Sequence, residues 1–175
     1  MKSAPDPGAP GEVGAAHPLF FPVSATKLIV MSICTFGLYE LQWFYMNWWH
    51  VRIATRKKIR PIWRTYFLVL FCYPLFRRIR GAADAHDVSP RFSPGALASV
   101  YIAIILLSGA IEAPWPFVFV SHLPLAVVQN TVNEINARVA PGTDRNDRYS
   151  AANRIAIVVG GTITLLAVRA LLTPP

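Results

Sequence analysis

Charge is scarce in this chain. Only 15% of its 175 residues are Asp, Glu, Lys or Arg, against roughly 25% in an ordinary soluble domain, and acids are fewer than bases, 9 against 17. A soluble domain of this length has too little interior for a composition that is 54% apolar or aromatic, so ordinary soluble enzymes fit poorly. Cysteine is nearly absent as well. Cys34 and Cys72 both sit in apolar runs with no C-x-x-C or Cys/His spacing, which excludes a disulfide scaffold and reads as small core residues. No P-loop, G-x-G-x-x-G, G-x-S-x-G or H-E-x-x-H occurs, so the sequence offers no catalytic residue, cofactor site or metal site.

What is present is apolar residues gathered in runs, at 28–49, 65–76, 95–111, 113–130 and 155–172. Leu28 to Trp49 would reach about 33 Å as a helix, enough to cross a hydrocarbon core of about 30 Å, with Ser24 as its N-cap. Its far end carries Trp43, Phe44, Tyr45, Trp48 and Trp49, rings suited to the headgroup level. The runs 95–111 and 113–130 form a helical hairpin through a turn at Glu112–Pro116, and Gln129–Val139 continues as a polar helix. Residues 141–149 are rich in turn formers. The predicted fold is all-α: a polytopic integral membrane bundle of four or five hydrophobic helices over 20–175, after a disordered Pro/Gly/Ala-rich tail over 1–19. Lys2 is followed by no apolar stretch, so the tail does not read as a cleavable signal.

The formal charge of +8 would suit nucleic acid if it were spread over one polar face. Instead, six bases lie between Arg52 and Arg64 and three between Arg77 and Arg80, each group against the end of an apolar run, where topology-setting charge belongs. The expected partner is therefore the lipid bilayer and not nucleic acid. Arg52, Arg56, Lys57, Lys58, Arg60 and Arg64 are candidate contacts for anionic headgroups, Arg64 and Arg169 by snorkelling. Two topologies compete. If all five runs span with the N-terminus inside, 10 bases fall inside and 7 outside; if the 12 residues Thr65–Phe76, interrupted at Pro74, only dip into the membrane, the N-terminus is outside and the split is 14 to 3, closer to the positive-inside pattern. In that second arrangement the loops around Arg56 and Arg78 share one side. An internal echo, Arg91-Phe92-Ser93 with Arg148-Tyr149-Ser150 and Tyr73-Pro74-Leu75 with Leu123-Pro124-Leu125, suggests a degenerate parallel repeat.

The strongest polar feature lies inside the first run. Glu40, Trp43, Asn47 and His50 recur at i, i+3, i+7 and i+10 and so share one helical face. An ionisable group at membrane depth costs about 2.5–3.5 kcal/mol on insertion scales, and such a face serves either as glue between helices or as a functional pocket. Asp84-Ala85-His86-Asp87 reads as a solvated loop, His122 as a histidine hydrogen-bonded within the bundle, and Gly160-Gly161 as a place where helices approach closely.

Thr35, Gly37, Tyr39, Trp43, Phe44, Tyr45 and Trp48 form a TxGxYxxxWFYxxW-like signature. With Ser121–Asn136 and Asn146–Gly161, it makes the chain resemble a group of uncharacterised small bacterial inner-membrane proteins. The resemblance implies a multi-pass inner-membrane location and carries no activity across. The expected role is non-enzymatic, the binding of anionic lipid, another membrane protein or a second copy; the alternative is a small-solute carrier or membrane-embedded enzyme using the Glu40 face.

Overall fold

A computed structural model describes residues 17–110 and 120–172. Among these there are only helices: α1 (Ala25–Cys34), α2 (Leu38–Thr55), α3 (Pro61–Tyr66), α4 (Leu68–Ala85), α5 (Pro94–Ala110), α6 (His122–Val139) and α7 (Ala151–Leu172). The turn expected at Glu112–Pro116 lies outside the described residues. So does most of the tail, but Pro18 and Leu19 are placed: the Pro18 carbonyl meets His50 and Leu19 packs on the core.

The run 28–49 is not one helix. Ser24 caps α1 as expected, its Oγ accepting from the Lys27 N–H at 3.2 Å, but α1 stops at Cys34. Phe36 N–H donates to the Ile33 carbonyl and Gly37 N–H to the Ser32 carbonyl, the paired bonds that close a helix end through a left-handed residue. That residue is Phe36, at φ 51, and Gly37 follows at φ 83. Thr35 joins the two helices. Its hydroxyl donates to the Met31 carbonyl at 2.7 Å, which also accepts the Thr35 N–H, and accepts from the Tyr39 N–H at 2.9 Å, satisfying a spare donor at the start of α2. The Thr35-x-Gly37-x-Tyr39 part of the signature is thus a helix break, which apolarity alone does not reveal.

The run 65–76 also differs from expectation. Pro61 opens α3 at the position where a missing N–H costs nothing; the chain breaks at Phe67, and α4 runs from Leu68 through Pro74 and the three arginines to Ala85. Asp84 and Ala85, expected in a loop, are its last turn, and Asp84 pairs with Arg80 at 3.3 Å.

Directions follow from the contacts. Leu68 sits beside Gly37 and Leu38, while Arg78 and Ala82 share a cavity with Ala54 and Thr55, so α2 and α4 run the same way and α3 carries the chain back between them. The stretches near Arg56 and Arg78 therefore lie at one end of the bundle, and Leu19 and Phe20 lie there with them, whereas the 14-to-3 arrangement has the amino-terminal segment on the opposite side. α6 runs with them, from Ser121 beside Glu40 to Arg138, whose Nη1 donates to the His86 carbonyl. α5 and α7 run the opposite way. Each follows a piece of the sequence echo: Ser93 and Ser150 precede them, and their carbonyls accept the first helical bonds from Leu97 and Arg154.

The core is aromatic, with Trp43, Phe44, Trp48 and Phe76 all fully buried. α7 joins it through Gly160, where a Cβ would overlap the carbonyl oxygen of Cys34. The two glycines do permit close approach, and Gly160 does so against a carbonyl that the break after α1 leaves free of a helical donor. Of the described helices, one stretch, Ala151–Ala170, is long and apolar enough to cross a membrane.

Candidate functional site

The polar face of α2 is buried and divides into two sites. Glu40 is 3% exposed and Asn47 not at all, and they serve different ends.

At the start of α2, Glu40 accepts hydrogen bonds on both carboxyl oxygens. Tyr101 Oη of α5 donates to Oε2 at 2.9 Å and Ser121 Oγ, just before α6, donates to Oε1 at 2.6 Å. Tyr101 is itself wedged against Phe44, ring centroids 5.6 Å apart, and Phe44 meets Trp43 edge-on at 5.1 Å. The carboxyl forms the floor of a cavity of about 230 Å³ whose walls include Leu38, Leu41, Leu68, Ile104 and Ile105. Phe36 and Gly37, the residues of the α1–α2 break, stand at its edge. Leu68 places the α3–α4 break there too. Two interruptions of regular helix thus meet at one buried acid, an arrangement that proteins tolerate at membrane depth only where the irregular backbone is covered by protein or lines a cavity.

Further along α2, the polar groups grip the chain's own extended segment 18–23. Phe21 N–H donates to Asn47 Oδ1 at 3.2 Å, and Asn47 Nδ2 donates to the Trp43 carbonyl at 2.9 Å. Trp43 Nε1 donates to Gln129 Oε1 at 2.6 Å. Gln129 in turn donates to the carbonyls of Val23 and Phe21, at 2.8 and 3.2 Å, and to Asn133 Oδ1 at 2.9 Å. Asn136 bonds both backbone groups of Phe20, and the ring Nδ1 of His50 lies 3.1 Å from the Pro18 carbonyl. Extended backbone without a sheet partner must find donors and acceptors elsewhere, and here side-chain amides supply them. This half of the face is structural. It places Phe20, Phe21 and Val23 in the core.

Lys27 is a second such clamp. Its ammonium donates to the carbonyls of Asn146 and Arg148, at 3.0 and 2.7 Å, and to Asn146 Oδ1 at 2.9 Å, fixing the loop before α7 to the start of α1. Burial pulls it below the ordinary lysine range, against the attraction of Asp147 and Asp144.

The basic stretch divides as well. Arg52, Arg56, Lys57, Lys58 and Arg60 are exposed. Arg64, expected to snorkel, is half-buried with its guanidinium 4.2 Å from the Trp48 ring centroid and 5.1 Å from that of Phe71, a cation–π contact that fastens α3 to α2 and α4. Next to the exposed bases, Trp63, Tyr66 and Phe67 pack on one another and stay open to the surroundings.

Sequence reasoning grouped Glu40 with Trp43, Asn47 and His50 but missed Tyr101, Ser121 and Gln129 as their partners. Among the described residues, no three His, Cys, Asp or Glu side chains converge to hold a metal ion. No family model matches the chain, and neither a curated protein nor a solved structure matches it.

Proposed function

We propose that the chain is a multi-pass bacterial inner-membrane protein, as the resemblance of its aromatic signature implies, and that it acts by binding and not by catalysis. The observation that carries the membrane reading is α7, an apolar helix whose Val158 and Leu165 are 67% and 72% exposed. A face of that kind is costly in water, at about 25 cal/mol for each Å², and costs nothing against lipid tails. α5 presents Val100, Leu106 and Leu107 in the same way. On this reading the pairs α1–α2 and α3–α4 are re-entrant hairpins with their breaks inside the bilayer. The end holding Arg52–Arg60 and Arg77–Arg80 faces the cytoplasm, where the exposed bases meet anionic lipid.

The reading is tested by alkaline carbonate washing of membranes. Retention in the pellet supports it, and release of intact protein overturns it. For topology, single cysteines at Ala54 and Ala83, in a background without Cys34 and Cys72, are probed in intact cells with a membrane-impermeant thiol reagent. Both sites should stay unlabelled until the membrane is opened; labelling of one alone would mean that Thr65–Phe76 spans.

A further inference from the structure

We infer that the cavity above Glu40 binds a small lipophilic organic cation, an ammonium group carried on a compact apolar body. The chemistry of its lining argues for this occupant. Leu38, Leu41, Leu68, Ile104 and Ile105 give it apolar walls, and among the described residues its titratable lining groups are Glu40 and Tyr101. No lysine, arginine or histidine is among the described lining residues, so the carboxyl has two hydroxyl donors and no countercharge among them. A carboxylic acid taken from water into such surroundings either holds its proton or is stabilised as the anion by pairing with a cation.

An inorganic cation could take oxygens from Glu40, Tyr101, Ser108 and Ser121 but would leave the walls of leucine and isoleucine uncovered. A neutral apolar molecule would leave the acid unmatched. An organic cation satisfies both parts, because its charge meets the remaining lone pairs of Glu40 while its body covers the leucines. The rings of Phe36 and Tyr101 at the lining add the quadrupole attraction that aromatic residues offer to quaternary ammonium groups. Size sets the upper limit. With about 30 Å³ per water molecule in the liquid, 230 Å³ holds roughly eight waters, which suits one ring with an ammonium head and not a long-chain amphiphile. Phe36, held at φ 51 where residues other than glycine are strained, is kept at the edge of the cavity by the same turn that ends α1.

The test is equilibrium binding of phenyltrimethylammonium to the full chain purified in a non-ionic detergent, beside its neutral isostere tert-butylbenzene. Its quaternary charge does not depend on pH. The expected result is saturable binding of one cation per chain, with affinity falling about thirtyfold or more in Glu40→Gln, as for the loss of one partner of a buried charge pair. Gln keeps an acceptor for one of the two hydroxyls and turns its NH2 to the other, whose oxygen can accept from it, and unchanged helical circular dichroism verifies the fold. Ile104→Trp, which fills the cavity and leaves the acid in place, should also abolish binding; it serves as the deciding variant if the glutamine protein does not fold. Absence of saturable binding, equal affinity in the folded Glu40→Gln protein, or equal binding of tert-butylbenzene would each overturn the assignment. Because the measurement is made in detergent, its failure leaves the topology proposal untouched, and failure of the topology proposal leaves it standing.

Discussion

α6 and α7 are neighbours in sequence with opposite surfaces. α6 carries Gln129, Thr131 and Asn136, all buried, while α7 carries Val158, Val159, Leu165 and Leu166, all exposed. In a water-soluble globule the hydrophobic effect would reverse that order. On the membrane reading proposed above, apolar side chains gain nothing from meeting one another in hydrocarbon, and association rests on hydrogen bonds and on how closely backbones can approach. The two helices accordingly attach to the bundle by different means, α6 through amide groups and α7 through a glycine.

Breaking the attachment of α7 should have the largest effect. Gly160→Leu would drive a side chain into the Cys34 carbonyl; backbone cannot step aside as a flexible side chain does, so a loss of about 3 kcal/mol or more is expected. At Gly161 a Cβ would lie 4.0 Å from Cys34 Sγ, an ordinary contact, and Gly161→Ala should be neutral or slightly stabilising. Thermal unfolding in detergent compares the two, and equal losses would mean that α7 is not seated on Gly160.

The attachment of α6 should come next. Gln129→Leu removes the acceptor of Trp43 Nε1 and the donor to Phe21 and Val23. It leaves buried polar groups unmatched, at an expected cost of about 2–4 kcal/mol. Faster proteolysis of the chain ahead of α1 should accompany that loss. An unchanged cleavage rate would show that the segment is held by packing alone.

The outward face of α7 should matter least to folding. Leu165→Ser lies on no partner and should shift stability in detergent by no more than about 0.5 kcal/mol. In membranes the same change should raise the fraction released at high pH. A large loss of stability in detergent would show that this face packs against protein.

The contrast also explains what the sequence could tell. The apolar runs of α5 and α7 are legible because the side chains of their outward faces answer to the solvent, and runs of this kind are what hydropathy measures. The breaks at Thr35–Gly37 and Phe67 escape it, since threonine, phenylalanine and glycine are as acceptable to hydrocarbon as to a helix. A glycine two residues after a threonine was the available signal, and it reads as a helix end only once the hydroxyl bridge is known. The polar spacing of Glu40, Trp43, Asn47 and His50 was legible on α2, but their partners are not. Tyr101 lies 61 residues from Glu40, Ser121 81 and Gln129 86 from Trp43, and pairings that distant are set by tertiary structure, which one sequence does not encode as a local pattern.

The grip on residues 18–23 has an implication for synthesis. Phe20 is held by a side chain 116 positions later in the chain, and Phe21 by another 108 positions later. A segment made before α1 is therefore among the last to be secured. Until α6 has been made, Trp43 Nε1 lacks its Gln129 acceptor and Phe20 lacks Asn136. The network closes when Gln129 and Asn136 emerge and draw the amino-terminal segment against the bundle.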